Sequence, residues 1–302
     1  MPAARRIADA PQSVRNVLQG RPSGAARGCA RMDRLRFGIS GLPLGQGGRR
    51  FTYATGIEYL ARIGLDAMEL PFVRSVNVTA KNCEAVRAAA AARDVALSAH
   101  GSYYVNLNGD AGIRAKSLER IRAAAAGIRL AGGRRVVFHP GFYLGGDRAA
   151  AATAIAACLD DLAGEDAEFC LETTGKPTQF GTTEEIAALC QGRPNCRICI
   201  DFAHIHARGN GALRRYDDFA AILELVGREL GRAALDDLHL HVSGIEYTAR
   251  GERRHLPLLE SDLDYMALLK ALRDFGARGR LIVESPLLER DALILKTAYH
   301  SL

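Results

Sequence analysis

Short runs of mostly apolar residues recur along this chain, separated by longer amphipathic stretches. The runs at 35–40, 67–70, 95–100, 135–139, 168–172, 198–200, 238–242 and 280–284 predict eight buried strands. Between them, helical spacing predicts helices near 55–63, 80–93, 113–131, 147–162, 216–230 and 289–299. Gly132-Gly133 is a C-terminal stop signal for the third of these. Thr182-Thr183-Glu184-Glu185 has the form of a capping box opening another helix. Ser261-Asp262-Leu263-Asp264 supplies an N-cap and acidic first-turn residues for one more. Strands that alternate with helices favour an α/β (β/α)8 TIM barrel, a single domain over 32–302, with a doubly wound open sheet as runner-up.

The strands also end alike. Glu69, His100, His139, Glu172, Asp201, His241 and Glu284 stand at strand ends, and His204 follows the sixth strand by three residues. In a barrel all these ends open on one mouth. Taken singly, each has a plainer reading, a satisfied core histidine or a solvated carboxylate. Jointly they favour a polynuclear metal site, because unpaired Glu172 and Glu284 after apolar runs would each cost several kcal/mol. Zinc suits mixed imidazole and carboxylate ligation, with manganese or iron as alternatives.

Composition narrows the classes. No apolar run approaches the roughly 20 residues of a membrane span. Residues 1–31 hold six arginines against the single Asp9, so five of the six net positive charges sit there. The rest of the chain is nearly neutral, and the overall charge is poor support for nucleic-acid binding by the folded part. That leading segment reads as a disordered basic arm, an organelle transit peptide, or sequence ahead of a true start at Met32. Seven scattered cysteines suggest a reducing, cytoplasmic setting. Cys196 and Cys199, three apart in a strand, face opposite sides and read as buried apolar residues rather than a metal pair. The loop at 41–48 is glycine-rich but lacks the Gly-Lys-Ser/Thr ending of a phosphate loop. No Gly-x-Ser-x-Gly elbow and no dinucleotide fingerprint is present.

Six segments in order, His100-Gly-Ser-Tyr-Tyr-Val-Asn-Leu107, Phe138-His-Pro-Gly141, Leu171-Glu-Thr-Thr-Gly175, Cys199-Ile-Asp-Phe-Ala-His204, Leu240-His-Val-Ser-Gly244 and Ile282-Val-Glu-Ser-Pro286, resemble endonuclease IV. The resemblance covers about residues 35–302. It implies a zinc-dependent hydrolase that cuts DNA 5′ to abasic sites and trims blocked 3′ ends, with two to three zinc ions per chain. The wider superfamily also holds sugar isomerases and epimerases, which are the alternative function. A non-catalytic nucleic-acid binder is a third reading, one that leaves the ligand-type residues without a use.

Carried over by motif, the resemblance gives His100 and His139 to one ion and Glu172 to a bridge. Asp201, His241 and Glu284 then hold a second ion, and His204 a third. His241 is preferred to His239, two residues earlier on the same face, because Val-Ser-Gly follows it. Glu172, Glu284 and His139 are the residues expected to act in catalysis. The family's third site also takes an Asp-x-His pair from the loop after the seventh strand. Here His255 matches the histidine, whereas Arg253 occupies the Asp position. Glu252 or His206 could make up the site, the third metal could be weak or missing, or the arginine could supply the charge itself. Tyr103 and Arg74 are placed to touch damaged double-stranded DNA, and Arg208, Arg253 and their neighbours Arg250 and Arg254 to form a phosphate-binding rim. The protein is expected to act as a monomer, away from membranes.

Overall fold

A computed structural model describes residues 34–45, 47 and 50–302; the expectations for 1–31 and Met32 lie outside the described residues. The chain runs β1 (Leu35–Ser40), α1 (Tyr53–Arg62), β2 (Ala67–Pro71), α2 (Cys83–Arg93), β3 (Ala96–His100), α3 (Ala111–Leu130), β4 (Arg135–Phe138) and β5 (Gly141–Phe142). It continues through α4 (Arg148–Asp160), β6 (Glu168–Glu172), β7 (Gln179–Phe180), α5 (Thr183–Cys190), β8 (Cys196–Asp201), α6 (Phe202–Arg208) and α7 (Tyr216–Leu230). The last part is β9 (Leu238–Val242), β10 (Gly244–Thr248), β11 (Gly251–Leu256), α8 (Tyr265–Asp274), β12 (Gly279–Val283) and α9 (Glu289–Ser301).

Eight of these strands close in the order β1-β12-β9-β8-β6-β4-β3-β2, all neighbours parallel. Closure decides against the open sheet. It also requires close approach at Gly38, where a Cβ would stand 2.1 Å from the carbonyl oxygen of Ala67. The capping box forms as expected, with Glu185 N–H donating to Thr182 Oγ1 and Thr182 N–H donating to Glu185 Oε2. Asp264, the last residue of the expected run, caps α8 through Ala267 N–H, so the run's acidic residues precede the first turn.

The main apolar core lies between barrel and helices, where residues such as Phe37, Phe138, Phe169, Phe202 and Leu272 are buried. Inside the barrel only a small apolar layer forms, from Val137, Cys170 and Cys199. Cys196 packs in the outer core, so the two cysteines do face apart. Because side chains alternate with period two, inward positions two residues from that layer reach opposite mouths. Arg135, Glu168 and Arg197 lie toward the N-terminal mouth; His139, Glu172 and Asp201 lie toward the C-terminal one. No helix among the described residues is long and apolar enough to cross a membrane.

Candidate metal centre

Glu172 sits at the centre of the C-terminal mouth, fully buried at the end of β6. Its two oxygens face different imidazoles. His100 Nε2 and His139 Nε2 lie 3.0 and 2.8 Å from Oε2, while His241 Nδ1 and His204 Nδ1 lie 3.1 and 3.4 Å from Oε1. Among the described residues five groups of ligand-type atoms have their atoms within 4.8 Å of one another; Cys199–His239–His241 and Glu69–His100–Glu284 reach below this carboxylate, and three lie around it. These three are His100–His139–Glu172, Glu172–Asp201–His241–Glu284 and Asp201–His204–His255.

Backbone contacts set which nitrogen each histidine presents. His100 Nδ1 lies 3.0 Å from the carbonyl of Gly101, His204 Nδ1 3.0 Å from that of Thr173, and His255 Nδ1 3.1 Å from that of Glu284. A carbonyl can only accept, so each Nδ1 carries a proton, and Nε2 is the nitrogen each ring has left for a metal once it gives up any proton it holds toward a carboxylate. His206 is arranged the other way. Its Nδ1 accepts from Leu213 N–H at 3.0 Å and its Nε2 donates to Asp262 Oδ1 at 2.8 Å, so no lone pair remains. That buried residue clamps the segment after α6 and does not join the centre. Asp201 caps α6 through His204 N–H, which holds the carboxylate and the imidazole side by side.

Glu69 lies under this layer, and its strand-end position alone assigns it no role. Its Oε2 is 2.9 Å from His239 Nε2 and accepts from Ser98 Oγ at 3.0 Å; its Oε1 is 3.1 Å from His241 Nε2. It thus steers His241 to point Nδ1 at Glu172 and Glu284, an arrangement typical of carboxylates behind metal-ligating imidazoles. His239 faces this deeper carboxylate and lies within 4.8 Å of Cys199, and burial lowers its pKa to about 3, keeping it neutral.

The electrostatics are those of carboxylates and imidazoles stripped of water. Burial pushes Glu172 up, but His139, His241 and His100 outweigh it and hold the carboxyl well below its usual range. Burial opposes protonation of His100 and His204, yet Glu172 carries the first to about 10 and Asp201 the second to about 9. Burial raises Asp201. Glu69 Oε1 and His241 Nε2 remain buried without a well-formed hydrogen bond. Nitrogen and oxygen donors of this kind fit zinc, manganese or iron in chemistry and in number.

Of the two residues the sequence offers to make up the third group, Glu252 approaches it and His206 does not. In the β10–β11 hairpin, Ile245 pairs with His255, Glu246 with Arg254 and Tyr247 with Glu252, so the register slips at Arg253. Cross-strand partners share a face, and Ile245 and Tyr247 are two apart. His255 and Glu252, three apart, therefore point the same way. Glu252 Oε2 comes to 3.6 Å from His204 Nε2. A Cβ at Gly175 would lie 2.6 Å from that oxygen, so the glycine leaves room for the carboxylate. Arg253 and Arg254 turn to the other face and pair with Glu246 at 2.5 and 2.6 Å. Arg253 therefore does not stand in for the missing aspartate.

The expected phosphate rim is only partly built. Arg208 donates through Nη1 to Thr174 Oγ1, the Lys176 carbonyl and the Gln179 carbonyl at 2.8–2.9 Å, and through Nη2 to Tyr143 at 3.3 Å. It braces the loop after β6 and is not available to a phosphate. Tyr103 and Tyr104 are 52% and 56% exposed beside the mouth, with ring centroids 4.1 Å apart. Arg120 lies over the Tyr104 ring, and the charge of exposed Arg74 is felt at its hydroxyl.

A closed parallel barrel with its ligand-type residues gathered at the C-terminal mouth defines the class, and the chain belongs to the xylose isomerase-like TIM barrel family, matching it over residues 57–297. It is 39% identical over 274 residues to an uncharacterized protein of Methanocaldococcus jannaschii, covering 89% of this chain and 98% of that one. To a probable endonuclease 4 of Nitratidesulfovibrio vulgaris it is 29% identical over 219 residues, covering 69% and 77%. Its structure is similar to endonuclease IV from Thermus thermophilus, with TM-score 0.65 and 21% identity over 88% of this chain and 100% of that one. It is similar also to a D-tagatose 3-epimerase-like protein, with TM-score 0.67 and 19% identity over 88% and 96%. At such identities these two structures establish the shared fold alone.

Proposed function

We propose that the protein is a metal-dependent phosphodiesterase that cleaves double-stranded DNA 5′ to abasic sites and trims blocked 3′ ends. The observation that carries this reading is Glu172, whose two oxygens each meet their own pair of imidazoles. A carboxylate so placed could be shared by two ions, and the ligand groups around it exceed what one ion would use. His100, His139 and Glu172 would hold the first ion, Glu172, Asp201, His241 and Glu284 the second, and His204, His255 and Glu252 a third. Such ions supply Lewis acidity to the phosphoryl oxygens and activate water.

The chain's own residues do the positioning. Glu69 and the carbonyls of Gly101, Thr173 and Glu284 fix the imidazole orientations, so little rearrangement is needed on reaction. Among the groups around the centre, His139, His255 and Glu252 are the more open, their side chains 28%, 24% and 19% exposed. The substrate phosphate is expected to approach over them. The exposed Tyr103–Tyr104 pair offers a stacking surface for an unpaired sugar or base, and Arg74 and Arg120 add positive charge there.

A sugar isomerase or epimerase is the second reading, favoured by the group Glu172–Asp201–His241–Glu284, which is sufficient alone for one ion. That reading leaves His100, His139, His204 and His255 without a ligand to hold. The deciding test is nicking of a duplex carrying one stable abasic analogue, by wild type beside Glu172→Ala, with metal content measured on both. Wild type should leave a 3′-hydroxyl 5′ to the lesion, and the variant should be slower by about a thousandfold or more, the scale of losing one preorganised charge-stabilising group. A fully metallated wild type that leaves the duplex intact and epimerises a ketose would establish the second reading.

A further inference from the structure

The N-terminal mouth of the barrel has a cavity of its own. Its volume is about 470 Å³, and Arg36, Arg87, Arg134, Arg135 and Arg280 line it together with Asp94, Glu168 and Asp237. The carboxylates are already engaged. Asp94 pairs with Arg34 and Arg36, Glu168 with Arg135 and Arg197, and Asp237 with Arg135. Arg280 has no carboxylate partner among the described residues. Only its Nη1 makes a hydrogen bond, to the carbonyl of Leu97 at 3.2 Å, and its Nε is buried with no partner. Arg36 Nε is in the same condition.

Both arginines are only 9% exposed, and guanidinium does not shed its proton at neutral pH. Arg36 has Asp94 as its counter-charge, whereas Arg280 feels the charges of Asp237 and Glu168 but pairs with neither. A buried cation so incompletely compensated is costly, and the plainest way to offset it is an anion.

We propose that this cavity is an anion site, taking a phosphate-type oxyanion, free or carried on a small monoester, with Arg280 as its central ligand and Arg36 beside it. The guanidinium fork of Arg280 has the geometry to hold two oxygens of one phosphate. Burial, and after it the neighbouring charge of Arg135, pulls the pKa of Arg280 down to about 10, as expected of an under-neutralised cation. The site lies at the opposite end of the barrel from the metal centre and does not depend on the function proposed for that centre.

The test is thermal unfolding of the full chain in sodium phosphate against sodium chloride at equal ionic strength. Wild type, Glu172→Ala, Arg280→Met and Arg280→Lys are compared, with glycerol phosphate run beside the inorganic ion. Wild type should show a saturable rise of several degrees, kept by Glu172→Ala and lost by Arg280→Met. Arg280→Lys retains the charge and should need about tenfold more phosphate for half of the rise, because the fork is lost. Tighter half-saturation by the ester assigns the site to a monoester, and equal values assign it to the free ion. A rise that Glu172→Ala loses and Arg280→Met keeps would place the anion at the metal centre and overturn the proposal. Should Arg280→Met not fold, an unchanged half-saturation in Arg280→Lys overturns it equally.

Discussion

Both mouths of the barrel bury many charges, but they do so with different groups. The C-terminal mouth sets carboxylates against imidazoles, which can release their protons and take a metal in exchange. The N-terminal mouth sets carboxylates against guanidiniums, which cannot. Glu172 is therefore compensated by groups that can be exchanged for an ion, whereas Glu168 and Asp237 are locked to Arg135. One strand carries both designs. In β6, Glu168, Cys170 and Glu172 run from the fixed mouth through an apolar middle to the exchangeable one. Burial alone thus does not tell function from scaffolding; the chemistry of the counter-charge does.

The largest expected effect that tests this contrast is at the fixed mouth. Arg135→Met takes the buried guanidinium away from Asp237 and from Glu168, which keeps Arg197, and chemical denaturation should show a loss of about 3–5 kcal/mol, as for a buried pair with one partner removed. A near-neutral result would mean that solvent or other arginines already satisfy Glu168 and Asp237. Next comes pH. In the metal-free chain His100 and His204 titrate at about 10 and about 9, raised from 6.5, so the stability they add is whole below about pH 6.5. It is lost as pH climbs through 9 and 10. Melting temperature of the chelated protein should fall over that window while metal affinity rises, because fewer protons compete. A flat profile would remove the difference between the mouths.

A smaller change is expected from Glu252→Gln, which should release the third ion alone, seen as a drop in bound metal after dialysis with the other two ions retained. Arg253→Ala, whose partner Glu246 is on the far face of the hairpin, should leave metal content and melting temperature unchanged. Reversed outcomes for these two variants would mean that the hairpin register is wrong.

Much of this was legible in the sequence, and for definite reasons. Strand ends in a parallel barrel all point to one mouth, so the runs ending in His100, Glu172 and His241 disclosed both fold and centre together. His204 was legible because Asp201 caps the turn that carries it. Three features were not. Glu69 stood among the strand-end residues, but only barrel closure places it under His239 and His241, behind the layer it was grouped with. Arg135 and Arg280 read as ordinary charged strand starts, since a pattern along one strand does not show that strands far apart in sequence aim arginines into one cavity. Arg208 looked free because its acceptors are backbone carbonyls and two hydroxyls brought to it by the fold, which leave no mark in side-chain spacing.

The slipped pair at Arg253 has a consequence for how such proteins diverge. Read column by column, a chain with arginine where a ligand is expected has lost that ligand. A single extra residue in one strand of the hairpin instead rotates the preceding side chain into the vacated place. Loss at one position and gain at its neighbour then become one event, and a lineage can move a carboxylate along its backbone without passing through an ancestor that lacks one.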